Sequence, residues 1–305
     1  MNITAAVLGA MGTESPYAKS TPLVIEKLLL DGPGPGEVLV RIKAAGLCHS
    51  DLSVINGNRP RPTPMALGHE AAGIVEEVGP VEGEAGGSDL RPGDHVVFVF
   101  VPSCGHCEPC TEGRPALCEP GAAANTAGTL LSGAHRLHRS DGTPVHHHLG
   151  VSAFADYATV SRRSLVKIDP ELPFEEAALF GCAVLTGVGA VVNTARVPAG
   201  SAVAVVGLGG VGLSSLLGAV AAGARQVVAV DLSDEKLDLA RSLGADVLID
   251  YSEEDWPEQV REAMARKHAA TGEARYRVAP DVAVLPIDAL GPGSRPRGVA
   301  FPVGG

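Results

Sequence analysis

Four cysteines fall within fifteen residues as Cys104-x2-Cys107-x2-Cys110-x7-Cys118, and nothing else in the chain restricts its fold so tightly. Three thiols at two-residue intervals can wrap one tetrahedral ion, and the fourth closes the shell after a short loop. A closed set of four thiolates is the pattern of a structural zinc site. Gly105, Pro109 and Gly113 allow the tight turns that point each sulfur inward. Disulfide frameworks belong instead to short secreted chains. This chain has 305 residues, only six cysteines, and no basic-then-apolar leader over Met1 to Ser20. A zinc lobe at about 103–119 is expected, in a protein whose thiols stay reduced, as in the cytoplasm.

The other two cysteines point to chemistry. Cys48 lies in Gly46-Leu47-Cys48-His49-Ser50-Asp51, Cys182 in Phe180-Gly181-Cys182, and Gly68-His69-Glu70 stands between them. Two thiolates and an imidazole from distant segments make a three-ligand set with one position open, the pattern of a catalytic zinc. Taken singly, each cysteine reads as a small buried hydrophobe. Together with His69 they read as ligands.

The length allows two domains, each with its own core. A net charge of −11 offers no basic excess for phosphates, which argues against a nucleic-acid partner. No apolar run is evident at the roughly 20 residues a membrane helix needs, so no membrane role is expected.

Short strands and turns fill the first half. Glu37–Ala44, Ala71–Val78 and His95–Val101 read as strands separated by Gly/Pro punctuation, which suggests a partly closed β-barrel. Glu82–Ser88 reads as an acidic surface loop. Asn125–His148 reads as a polar, basic insertion, with His146 and His147 in solvent.

Near residue 184 the rhythm changes to strand–helix–strand. Ser201–Gly207 is an apolar strand, followed by Gly207-Leu208-Gly209-Gly210-Val211-Gly212 and an Ala/Leu-rich helix to about Ala222. Gln226–Asp231 and Asp246–Tyr251 are further strands. The helix between them, Ser233–Leu243, has Ser233 as its expected N-cap. Gly-x-Gly-x-x-Gly is a weak signal alone. Between a strand and a helix, with Asp231 ending the next strand, it is a dinucleotide fingerprint. Gly207 makes the turn, Gly209 admits the pyrophosphate, and Gly212 lets helix and strand pack. Asp231 can accept both ribose hydroxyls of NAD and would repel the extra phosphate of NADP.

In this order the motifs resemble the zinc-dependent medium-chain alcohol dehydrogenases, in the liver-type and glutathione-dependent formaldehyde dehydrogenase branch, over about residues 1–262. The resemblance implies an α/β protein with a GroES-like catalytic domain at 1–183 and a Rossmann domain at 184–305. It implies two zinc ions per chain and NAD. Cys48, His69 and Cys182 would bind the catalytic zinc, with Glu70 a transient ligand, and Cys104, Cys107, Cys110 and Cys118 would bind the structural one. Asp51 would orient His69, and Ser50 would take the proton of a small alcohol. His49, Thr186, Gly210, Val211 and Lys236 fall at coenzyme positions, alongside Gly207, Gly209, Gly212 and Asp231. Ser53 stands where the branch usually has a relay histidine, and His148 where it often has an aromatic pocket residue.

Beyond about 263 the resemblance ends. Residues 263–305 carry six Lys/Arg against three Asp/Glu, with five Pro and six Gly. Such a mixture fits GC-rich coding read out of frame, and only Asp281–Asp288 suggests a strand, with Pro286 against a central one. On this reading the Rossmann sheet is incomplete, with a bare central edge. The strand through which the family forms homodimers or homotetramers is then missing. Two functions follow: an NAD-dependent zinc alcohol dehydrogenase, or an inactive zinc-binding remnant of one.

Overall fold

The structure, a computed structural model, describes residues 1–80, 89–271 and 282–284 of the chain. The loop expected at Glu82–Ser88 lies outside the described residues. The chain divides into two compact units, Met1–Cys182 and Ala183–Gly305.

The first unit is built on two β layers. A closed barrel runs β1 (Asn2–Leu8), β2 (Leu23–Leu30), β7 (Leu137–His138), β8 (Pro144–His147) and β4 (Met65–Ala66). An antiparallel sheet runs β10 (Leu165–Lys167), β6 (His95–Phe98), β5 (Glu70–Val78), β3 (Glu37–Gly46) and β9 (Tyr157–Ser161). Strands β1 and β2, not expected from the sequence, pair from Asn2↔Leu29 to Leu8↔Leu23. Their logic is alternation: Ile3, Ala5 and Val7 point inward to meet Leu28 and Leu30. Strand β3 serves both layers. Val38 and Val40 join the sheet core, while Leu39 joins the barrel core.

The expected insertion at Asn125–His148 is not one, because β7 and β8 are barrel staves. Leu137 and Val145 pair with each other and fill the barrel. Strands this short, interleaved with histidines, carry too little apolar period to be read from sequence. His147 is therefore 1% exposed, not in solvent. His146 is half-buried, its Nδ1 3.1 Å from His135 Nε2.

The second unit is a parallel sheet in the order β13 (Val247–Asp250), β12 (Gln226–Asp231), β11 (Ala202–Val206), β14 (Val282–Val284). Strand β11 is buried on both faces. Val203 and Val205 point to one core, and Ala202, Ala204 and Val206 to the other. Helix α2 (Gly210–Ala221) follows β11, α3 (Asp234–Ser242) follows β12, and α4 (Trp256–Thr271) follows β13. The strand expected within Asp281–Asp288 forms as β14, in register Val203↔Val282 to Val205↔Val284. Strand β11 is thus paired on both sides, and its bare edge is not found. Pro286 lies outside the described residues.

Among the described residues one helical stretch, Phe174–Thr194, is long and apolar enough by length and composition to cross a membrane, contrary to the expectation of no such run. Core helices pass the same test. This stretch has Glu175 and Glu176 in its first turn, and it carries Cys182.

Candidate metal centre and nucleotide fingerprint

Cys48 ends β3's approach and caps helix α1 (His49–Ile55), its sulfur accepting from the Ser50 N–H at 3.5 Å. His69 and Glu70 enter from the start of β5, and Cys182 from the helical stretch above. The ligand atoms of Cys48, His69, Glu70 and Cys182 all lie within 4.8 Å of one another. The two sulfurs are 3.9 Å apart. Two thiolates on one tetrahedral zinc, at about 2.3 Å each, would stand about 3.8 Å apart, so the donor set fits that ion. With one sulfur donating to the other, the pair holds a proton unequally: Cys48 is lowered and Cys182 raised. Such a thiol pair is poised to give up its last proton to a cation.

Small residues make the approach possible. A Cβ on Gly46 would overlap the Glu70 carboxylate, and one on Gly181 would overlap the Phe98 carbonyl. Gly68 has φ +92°, and a Cβ there would strike Phe154. Burial raises the Glu70 carboxyl above the usual range.

Behind His69 sits Asp51, 4% exposed. Its Oδ1 accepts from the Gly68 N–H at 3.0 Å, and His69 Nδ1 stands 3.2 Å from each carboxylate oxygen. That contact turns His69 Nε2 toward the sulfurs. His148 Nδ1 lies 3.1 Å from Asp51 Oδ1, and its ring meets His69 edge-on at 5.4 Å. Burial alone would raise the Asp51 carboxyl, but the two imidazoles outweigh it and hold it well below the usual range. Burial would likewise lower His69, but Asp51 and Cys48 prevail and raise it to about 9. His148 is 1% exposed and turned onto Asp51.

Ser50 is flanked by a residue the sequence reading did not single out. Arg59 Nη1 donates to Ser50 Oγ at 3.3 Å. Its distance from the motif in sequence gave no signal. Ser53, at the relay position, spends its hydroxyl on the His49 carbonyl at 3.0 Å.

The four-cysteine lobe closes as the spacing suggests. The ligand sulfurs of Cys104, Cys107, Cys110 and Cys118 lie within 4.8 Å of one another. Main-chain N–H groups point at them: Cys107 to Cys104 at 3.3 Å, Cys104 to Cys118 at 3.2 Å, and Gly121 to Cys118 at 3.4 Å. The His106 N–H, against a smaller opposing effect of burial, lowers the Cys104 thiol to about 6. All six cysteines are free, so no disulfide competes. Gly105 and Gly113 take φ of +84° and +78°.

In the second unit Gly207 takes φ +88°, and a Cβ on Gly212 would overlap the Gly207 carbonyl. Above Gly209 there is nothing within 4 Å, at the N-terminus of the twelve-residue helix α2. That open cradle and the free N–H groups suit a pyrophosphate. Asp231 holds the loop, accepting from Leu208 N–H at 2.6 Å and Ser233 N–H at 3.1 Å, with Lys236 Nζ at 3.7 Å. Ser233 caps α3 by accepting from Lys236 N–H. His49 and Thr186 are exposed, and Val211 is half-buried at the start of α2.

Comparison with known proteins agrees with this geometry. Residues 34–170 match the alcohol dehydrogenase GroES-like domain family, and 210–274 the zinc-binding dehydrogenase family. The alcohol dehydrogenase zinc-binding domain protein of Burkholderia ambifaria is 39% identical, with a TM-score of 0.78 over 87% of this chain and 68% of that one. The chain belongs to the zinc-dependent medium-chain alcohol dehydrogenase family. Benzyl alcohol dehydrogenase of Acinetobacter calcoaceticus is 34% identical, with a TM-score of 0.76, over 87% of this chain and 68% of that one. The S-(hydroxymethyl)glutathione dehydrogenase of Paracoccus denitrificans is 40% identical over 73% of this chain and 58% of its own length. The chain spans about six tenths of the curated relatives it matches. The family match runs to residue 274, past the limit near 262 that the motifs alone allow.

Proposed function

We propose that this chain, as a catalytic domain at 1–183 and a Rossmann domain at 184–305, is an NAD-dependent zinc alcohol dehydrogenase that moves hydride between a small alcohol or aldehyde and NAD. The observation that carries it is the cluster of Cys48, His69 and Cys182 beside Ser50. Cys48, His69 and Cys182 would hold the catalytic zinc, with Glu70 in reach as an exchanging ligand. Cys104, Cys107, Cys110 and Cys118 would hold the structural one. Zinc bound there supplies Lewis acidity that makes an alcohol proton easier to remove, and NAD accepts the hydride.

The chain's own groups do the rest. Ser50 receives the alcohol proton, its hydroxyl oriented by Arg59. Asp51 fixes the tautomer of His69. The N–H groups at the start of α2, reached past Gly207, Gly209, Gly210, Val211 and Gly212, would take the pyrophosphate. Asp231 would accept the adenosine ribose hydroxyls, with Lys236 beside it, while His49 and Thr186 would complete the coenzyme contacts.

The test is NADH formation by the purified, zinc-loaded chain offered NAD and a panel of primary, secondary and aromatic alcohols. Turnover that vanishes in Cys48→Ala supports the enzyme. Full zinc occupancy without turnover supports the inactive remnant instead. Light scattering on the same sample reads whether the homodimer or homotetramer of the family forms.

A further inference from the structure

One guanidinium group stands at the candidate metal centre, and a second lies on the same loop. Arg59 reaches Ser50 Oγ at 3.3 Å, next to the sulfur of Cys48, which accepts from the Ser50 N–H. Arg61 lies two residues on, its Nη1 donating to the Pro60 carbonyl at 3.1 Å. The loop that carries them is pinned at both residues. Arg59 N–H donates to the Ser53 carbonyl at 2.8 Å, and Arg61 N–H to the Met11 sulfur at 3.3 Å.

Acidic residues outnumber basic ones by 35 to 24 in this chain, yet no carboxylate among the described residues pairs with either arginine. Arg41, Arg136 and Arg139 each have one. Arg61 Nε is buried and has no hydrogen-bond partner. Burial and the charge of Arg59 both lower the Arg61 guanidinium's affinity for its proton. Two like charges on one short loop, one touching Ser50 and one with a buried donor unused, make a site that an anion would relieve. The planar fork of arginine matches a carboxylate best.

We propose that Arg59 and Arg61 form an anion subsite beside Ser50 that selects alcohols carrying a carboxylate a short distance from the hydroxyl. This rests on the dehydrogenase reading and names its substrate class. The hydroxyl must lie within hydrogen-bond reach of Ser50, and the carboxylate within reach of a guanidinium that itself touches Ser50. The two groups are then separated by no more than about 9 Å, which fits short hydroxycarboxylates rather than long-chain ones.

The experiment compares short hydroxycarboxylates with their methyl esters as substrates of the zinc-loaded full chain with NAD. Calorimetry with butyrate alone gives a second readout. The expected result is a kcat/KM ratio favouring the acid by roughly tenfold or more, falling toward unity in R59Q and in R61Q. Butyrate binding should weaken by a similar factor in both variants. A ratio near one in the unaltered chain, while neutral alcohols turn over, overturns the subsite and leaves the dehydrogenase standing. Weakened NAD binding in R59Q with an unchanged ratio also overturns it, since Arg59 would then serve the coenzyme. If no alcohol is oxidised at all, the dehydrogenase reading fails and calorimetry decides: butyrate bound and lost in R59Q supports the subsite, and butyrate not bound overturns it.

Discussion

The sulfurs of Cys48 and Cys182 lie 3.9 Å apart although 134 residues separate them in sequence. Only the fold brings them together, one capping α1 and one carried by the helical stretch Phe174–Thr194. Such a pair is a thiol contact without metal and a chelate with it. Because the four-cysteine lobe shares no ligand with this cluster, the two should empty independently. Metal analysis of Cys48→Ala and Cys182→Ala is expected to give one zinc per chain against two for the unaltered protein, with turnover abolished. Two retained zinc ions in either variant would sink the assignment.

The fingerprint glycines make opposite demands. A Cβ on Gly212 would overlap the Gly207 carbonyl, so Gly212→Ala must push α2 off the sheet, at a cost of about 1–3 kcal/mol. Above Gly209 the space is open, so Gly209→Ala should fold with an unchanged melting temperature. Its methyl would instead stand in the proposed pyrophosphate site, and NAD affinity should fall by roughly tenfold or more. Thermal melts and NAD titration of both variants check this. A destabilised Gly209→Ala, or one that binds NAD normally, would contradict the reading.

The Asp51 carboxylate stands against His69 and fixes how that ring is presented. Asp51→Asn keeps the shape and removes the charge shared by His69 and His148. Zinc affinity at the catalytic cluster is expected to drop roughly 10- to 100-fold, as for other partners of a ligating imidazole. Competition with a chromogenic chelator measures it. Equal affinity in the variant would show that Gly68 and the packing of Phe100 against His69 orient the ring unaided.

What could be read from the sequence was what is local. The Cys104–Cys118 lobe and the Gly207–Gly212 turn have their geometry written into spacing, because each is closed by its own few residues. Strand β12 begins and ends where the apolar run does, and Ser233 caps α3 as its type suggests. What could not be read depends on the barrel. Strands β7 and β8 are two and four residues long, and only pairing with β2 and β4 makes them staves. The contact of His148, next after β8, with Asp51 follows from that closure. A histidine-rich stretch that looked solvated is in part the barrel wall. Strand β14 is three residues long, set in a segment of altered composition, and register with β11 alone identifies it.

His147 carries a pH dependence out of this barrel wall. It is 1% exposed, its Nε2 accepts from the Arg136 N–H at 3.0 Å, and its Nδ1 has no partner. Burial first, then the nearby charges of His135, His146, His138 and Arg136, lower it to about 3. In the unfolded chain it would titrate near the ordinary value of about 6.5. The folded pKa is the lower one, so the unfolded state takes up the proton first as pH falls. The stability tied to a neutral His147 is complete above about pH 6.5 and is lost progressively down to about pH 3, reaching a loss of about 2 kcal/mol at pH 5. Urea unfolding between pH 8 and pH 5 should show that loss in the unaltered chain. His147→Gln, whose amide oxygen can still accept from Arg136 but takes no proton, should lose correspondingly less. Equal slopes in the two proteins would mean that His147 is not held neutral in the wall.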